Sequence, residues 1–248
     1  LINEGLTYAR ALKDDWFIAY GIYNIGHVDS LMGEYQKGYD QMQEGLALWR
    51  KVGDPHSISL GLNFLVDTQI ALKRYDEAIN AMRESISLCE QTQNRWGMGT
   101  AYRYLGLATM ADGQFNQARE CFQKSLNIFG EYFEGWDIAI SLVYLADATL
   151  LAGDEAEAKA LYLDSLRHAR QIDSAPIMLM NLAGLAQLES RLHPDLAAGW
   201  LPLILSHPAA TSDTKDRAAQ LRETLQSIHK LSPHQSARTI EQALKELL

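Results

Sequence analysis

His27, Asp67 and Asp147 stand at multiples of forty residues from one another, and so do Tyr23, Asn63 and Arg103. An imidazole and a carboxylate at matched positions can serve as a general base and the group that orients it. No matched nucleophile stands out beside them, so the set reads as a binding constellation rather than a catalytic one. Arg103 is the only basic residue at these positions apart from the histidine, and its planar guanidinium can fork onto a carboxylate or a phosphate. Tyr20, Tyr104, Tyr144 and a series Trp16, His56, Trp96, Trp136 run in the same register. Aromatic walls with a few orienting polar groups are the chemistry of a ligand site. Two structural alternatives stand beside that reading. Arg103 and Asp67 can pair across adjacent helices, and the tryptophans can pack one segment against the next.

The register itself implies the elements that hold these side chains. Small residues recur as Gly26, Val66, Gly106 and Ala146, as Gly38, Ala78, Ala118 and Ala158, and as Gly45, Ser85, Ser125 and Ser165. Between the first two columns lie Gly33, Lys73, Gly113 and Gly153, followed by Tyr35, Tyr75, Phe115 and Glu155. Tyr102, Leu105, Gly106 and Thr109 follow the spacing of one helical face, and Phe115, Ala118, Phe122, Ser125, Leu126 and Phe129 follow it again. Gly113, between the two, can end the first helix at positive φ. Each unit is therefore a helix, a tight turn and an antiparallel helix. Glycine within a helix costs about 1 kcal/mol relative to alanine; Gly106 is expected where the two backbones of a unit approach too closely for a side chain.

Small, small and aromatic residues at these offsets resemble the tetratricopeptide repeat, carried in the third unit by Tyr102, Leu105, Gly106, Phe115, Ala118, Phe122 and Ser125. The resemblance implies an all-α fold, a right-handed α-solenoid of helix-turn-helix repeats with C-terminal capping helices. The forty-residue period implies helices somewhat longer than the family norm. The expected organisation is a second helix of a truncated repeat at 1–13, since EGLTYAR matches EGLALWR forty residues on, then four repeats over 14–173. A divergent fifth repeat follows over 174–210, with capping helices over 211–248. Pro194, Pro202 and Pro208 are expected to break the fifth repeat's end into short helices. Leu1 reads as a cut from a longer chain, with Ile2, Leu6 and Ala9 then available for self-association.

The run LPLILSHPAATSDTKDRAAQLRETL is similar to the tails of tetratricopeptide arrays in bacterial STAND-type regulators, ATPases in which a helical array senses a trigger. The resemblance implies that first helices line a concave groove, with Tyr20, Tyr23 and His27, then Leu60, Asn63 and Asp67, then Thr100, Arg103 and Leu107, then Ile140, Val143 and Asp147 facing inward. Trp96 and Trp136 lie a turn earlier, and Tyr104 and Tyr144 border the set. It implies a non-catalytic sensor that binds a small molecule, peptide or protein trigger and communicates with other domains of the parent chain. The alternative is a constitutive peptide-docking scaffold. The carboxylate clamp of such scaffolds needs several Lys, Arg and Asn residues, whereas only Arg103 and Asn63 are available and Asp67 and Asp147 oppose an acidic peptide.

Composition narrows the classes further. The 248 residues carry 22 Lys and Arg against 31 Asp and Glu, a formal charge of −9. An acidic chain is not expected to bind nucleic acid directly, because phosphates need a basic footprint. No apolar run of membrane-spanning length and no signal peptide is visible, so a cytoplasmic chain with no membrane contact is expected. No GxxxxGK[ST] loop occurs, and the histidines of the tail fit no zinc framework, so no cofactor and no metal are expected. Cys89 and Cys121 fall at different repeat positions and read as buried small hydrophobes rather than a disulfide.

Overall fold

The computed structural model describes residues 2–132, 135–229 and 239–248. The chain forms two compact units, Leu1–Ile128 and Phe129–Leu248. The first holds α1 (Ile2–Leu12), α2 (Asp15–Leu31), α3 (Tyr35–Val52), α4 (Pro55–Ala71), α5 (Tyr75–Gln91) and α6 (Arg95–Ala111). The boundary falls within α7 (Phe115–Tyr132). The second unit holds α8 (Trp136–Leu151), α9 (Glu155–Gln171), α10 (Ala175–Glu189), α11 (Pro194–Ser206), α12 (Ser212–His229) and α13 (Ile240–Leu247). All regular structure among the described residues is helical. The beginning of the expected last helix, 235–238, lies outside the described residues, as does Leu1.

One local device makes the turn inside each of the four repeats. Gly33, Lys73, Gly113 and Gly153 all have positive φ, at 90°, 58°, 80° and 95°. After each, the next amide donates to a carbonyl five residues back: Glu34 to Asp29, Arg74 to Gln69, Gln114 to Thr109, Asp154 to Thr149. This six-residue closure satisfies carbonyls that the helix end would otherwise leave unpaired. The same closure recurs between repeats at Lys13, Gly53, Gln93 and Asp173, which also have positive φ. Next come the N-caps of the first helices. Asp14 accepts from the amides of Trp16 and Phe17, Asp54 from His56, and Asn94 from Gly97. A left-handed residue and a capping side chain thus follow each other in sequence, and the chain reverses within three residues.

Packing follows the repeat. In the first unit α2 packs on α3, α4 on α5, and the first helices α2, α4 and α6 touch in succession. Met42, Leu46, Leu65 and Met82 are fully buried there. In the second unit α8 packs on α9, and α10 on both α9 and α11. Its core contains Tyr162, Leu166, Leu179 and Trp200, and α12 and α13 add Ala218, Leu225, Ala243 and Leu244 to it. The small positions have different occupants to admit. A Cβ on Gly26 would lie 2.7 Å from the Gly38 carbonyl oxygen and 2.9 Å from the Met42 amide, so two backbones do meet in the first repeat. A Cβ on Gly106 would instead meet the Phe122 ring at 2.5–2.7 Å. The expected backbone crossing at Gly106 is therefore a ring seated in the space of a missing side chain.

Two further expectations change. Pro202 lies inside α11 and does not divide it. The proline forfeits one backbone bond, while Ala197, Trp200, Leu201, Leu203 and Ile204 bury around it and hold the helix. Leu6 and Ala9 are already buried on α1, and a Cβ on Gly21 of α2 would touch the Leu6 side chain. The apolar residues that α1 leaves exposed are Ile2, Tyr8 and Leu12. Cys89 and Cys121 are both free and buried, and burial raises both thiols, Cys121 to about 11.

Candidate ligand-binding face

The first helices present their side chains in columns, one per helical position, and the columns differ in what they face. Tyr23, Asn63, Arg103 and Val143 form one column, and all four are buried. The Tyr23 hydroxyl donates to the Gly61 carbonyl, and its ring lies 5.0 Å from that of Trp49. Asn63, 2 % exposed, accepts at Oδ1 from the Ser85 hydroxyl at 2.7 Å. Arg103 is 6 % exposed and offers little surface to an anion arriving from solvent. Tyr23 thus ties the first repeat to the second, and Asn63 ties the two helices of its own repeat. Thr100 and Ile140 are also buried, although Tyr20 in their column is exposed.

The accessible columns lie one residue further round. Asn24, Phe64, Tyr104 and Tyr144 are exposed or half-buried, as are His27, Asp67, Leu107 and Asp147. One residue is about 100° of helical rotation, enough to turn a side chain from the neighbouring repeat toward solvent. Trp96 and Trp136 keep large exposed surfaces, while Trp16 stacks on Tyr20 at 5.6 Å and donates its indole N–H toward Asp54 at 2.9 Å. In the first unit the face therefore consists of Tyr20 and His27 on α2, Phe64 and Asp67 on α4, and Tyr104 on α6. The His27 and Phe64 rings stack at 5.5 Å, and desolvation lowers the imidazole's pKa.

Asp67 sets the electrostatics of this face. It is exposed, yet protein crowds round its carboxyl enough for desolvation to push it up to about 6, against a smaller opposing pull from Arg103. The expected Arg103–Asp67 partnership is thus a field effect rather than a close ion pair. Among the described residues the Asp67 carboxylate makes no hydrogen bond and no ion pair. Burial and the same carboxylate raise the Tyr104 phenol to about 12. His27 and Asp67 form no hydrogen-bonded dyad, so the base-and-orienter geometry is not assembled.

In the second unit the residue at the same repeat position is enclosed by the chain itself. Asp147 accepts from the Tyr162 hydroxyl and, at 2.6 Å, from Arg217 Nη1. Arg217 Nη2 also donates to the Tyr162 oxygen at 3.2 Å and to Gln187 Oε1 at 2.8 Å. Gln187 falls forty residues beyond Asp147, so the arginine of α12 spans two successive residues at this repeat position. A Cβ on Gly184 would collide with the Tyr162 ring, which explains glycine there, in the column of Tyr104 and Tyr144.

Residues 61–92 and 97–171 each match a model of the tetratricopeptide repeat. The chain carries tetratricopeptide repeats. No curated protein sequence matches it. Solved structures similar to it include BtubC from P. vanneervenii, with 15% identity, a TM-score of 0.66, and coverage of 96% of this chain and 94% of that one. A Rap protein complexed with Competence and Sporulation Factor shares 13% identity at a TM-score of 0.67, over 99% of this chain and 69% of that one. A signal transduction ATPase with numerous domains and a tetratricopeptide repeat sensor, from Pyrococcus horikoshii, shares 14% identity at a TM-score of 0.61. That alignment covers 99% of this chain and 34% of the archaeal one. Identities this low establish the fold alone.

The repeats also form an open pocket that their signature does not announce. About 790 Å³ opens in the first unit, lined among others by Cys89, Asn94, Arg95, Met98, Tyr102 and Lys124. None of the expected site residues lines it. Its walls come from the end of α5, the start of α6 and the middle of α7, positions that share no column. Among the described residues no cluster of three His, Cys, Asp or Glu side chains can hold a metal ion, and no helix is long and apolar enough to cross a membrane.

Proposed function

We propose that this tetratricopeptide array is the non-catalytic sensor portion of a STAND-like regulator, and that it receives its trigger on the first-helix face of its first unit. The fold is one used for protein interaction, and the observation that carries the reading is the content of that face. Tyr20, His27, Phe64 and Tyr104 present aromatic surface around an accessible carboxylate that the chain leaves without a hydrogen bond. Side chains needed only for packing would be buried, as the neighbouring column Tyr23, Asn63 and Arg103 is. Similarity to the Pyrococcus array, a sensor in its own protein, and to the Rap protein bound to Competence and Sporulation Factor supports a recognition role. In this reading the protein is cytoplasmic and binds neither nucleic acid nor membrane.

A constitutive docking scaffold for acidic peptides is disfavoured by a specific observation. Arg103 and Asn63, the two residues available for a carboxylate clamp, are buried, and Asn63 already accepts from Ser85. A sensor must also hold its trigger more tightly in one state than in the other, since equal affinity shifts no population. The coding sequence ahead of residue 1 provides the test. An NTPase module with a phosphate-binding GxxxxGK[ST] loop is expected there, and in that full-length protein Phe64→Ala with Tyr104→Ala should abolish the trigger's effect on nucleotide hydrolysis. A gene without any such module overturns the regulator reading.

A further inference from the structure

The second unit shows what an aspartate at this repeat position does when its surroundings are complete. Asp147 holds a guanidinium, one phenol stands beside the pair, and the arginine arrives from a helix outside the four regular repeats. The first unit has the corresponding aspartate and a phenol, but the phenol comes from a different element. Position 82, equivalent to Tyr162, is the buried Met82, and position 104, equivalent to Gly184, carries the tyrosine instead. Where the second helix sends a tyrosine inward, the next first helix must be glycine; where it does not, that helix supplies the tyrosine itself. Either arrangement sets one phenol near one carboxylate. Only the first lacks an arginine from outside the stack.

We infer that Asp67 is the anchor for an arginine side chain carried on a helix of a partner protein, received as Asp147 receives Arg217 of α12. The inference rests on the binding face proposed above and names its chemistry. Arg103 acts on Asp67 only as a smaller opposing pull and lies in the buried column, so it leaves the carboxylate accessible to a second cation. Phe64, one helical turn before Asp67, and Tyr104 offer aromatic faces on which a guanidinium stacks better than an ammonium. The chain's formal charge of −9 favours a basic partner. The charged and titratable groups that act on the Asp67 carboxylate are Arg103 and Tyr104 on α6 and Tyr23 on α2. Protonation of Asp67 near pH 6 removes the negative charge, so the anchor is expected to hold at neutral pH and to release on acidification.

A synthetic peptide of residues 212–229 is the probe, because that helix already presents an arginine to an aspartate of this column. Added to the intact chain, whose own α12 occupies the Asp147 site, it is expected to bind by calorimetry. Asp67→Asn in the protein, or Arg217→Gln in the peptide, should weaken binding about tenfold or more, as truncating one partner of a charge pair does. Arg217→Lys in the peptide should fall between. Binding should also weaken as pH is lowered through about 6. Absence of binding, or equal affinity for the Asp67→Asn protein, overturns the inference. So does equal affinity for N-acetyl-arginine amide, which would make the ligand a small guanidine rather than a helix. The face itself is tested separately by Phe64→Ala and Tyr104→Ala in the full-length protein, so the two readings fail independently.

Discussion

Asp67 and Asp147 occupy one position in two repeats eighty residues apart, and the chain treats them in opposite ways. Asp147 is tied into a network with Tyr162, Arg217 and Gln187, its side chain 15% exposed. Asp67 is left open to solvent and without a hydrogen bond, and pays for its surroundings with a carboxyl shifted to about 6. A repeat position therefore does not determine a role. The fold supplies a direction and a distance, and the side chains that arrive from elsewhere decide between a structural tie and a reactive surface.

The largest expected effect comes from cutting the tie. Arg217→Ala strands Asp147 and the Tyr162 hydroxyl, and breaking a buried pair costs about 3–5 kcal/mol. Partial exposure of the pair lowers this to about 2–3 kcal/mol, measured by urea denaturation, with faster amide exchange along α12. An unchanged denaturation midpoint would show that the Asp147 site is as open as that of Asp67. Gly184→Ala pushes a methyl group into the Tyr162 ring and is expected to cost about 1–3 kcal/mol by overpacking. Tyr162→Phe in the same chain should not fully restore that loss, because the ring collides as well as the hydroxyl.

Asp67→Asn is expected to have the opposite sign to Asp147→Asn. The folded-state pKa of Asp67, about 6, lies above its ordinary value of 3.8, so between these values the native state keeps a proton the unfolded chain has lost. Its ionisation lowers stability as pH rises through that interval, and the loss is complete above about 6. Asp67→Asn should therefore raise the melting temperature at pH 7, with the gain fading as pH falls from about 6 toward 4. A melting temperature that drops at pH 7 would make Asp67 a structural ion after all. The smallest effect lies in the turns after these two helices. Gly153 follows the helix of Asp147, while Lys73, at φ 58°, follows that of Asp67. Lys73→Gly is expected to stabilise by about 0.5–1 kcal/mol in thermal melts, whereas Gly153→Lys destabilises by a similar amount or more.

Much of the fold was legible because its determinants are local. Gly33, Gly113 and Gly153 announce left-handed turns by residue type, and Lys73 joins them through register alone. The candidate face was legible in its helices and in Tyr20, His27 and Asp67, which stay accessible, but not in the column beside them. Positions 23, 63 and 103 were expected to face the groove, yet they are buried, and the column of Tyr104 and Tyr144 was read only as its border. A 100° rotation separates the two columns, and amphipathic spacing alone cannot fix the rotation when both are aromatic or polar. Phe64 could have been found from its place in line with Tyr104 and Tyr144. The Arg217–Asp147 bond had no signal of this kind, since residue 217 lies beyond the repeats and no period links it to 147.

That bond also bears on the order in which the molecule assembles. The turns inside the four repeats close through hydrogen bonds within six residues, and α2 packs on α3, α4 on α5 and α8 on α9, so these pairs can fold as soon as they are made. Asp147 must wait for an arginine seventy residues away. A ribosome adding about 5–20 residues each second takes several seconds to supply it. During that interval the nascent chain displays two open aspartates at the same repeat position, and completion of α12 withdraws one of them.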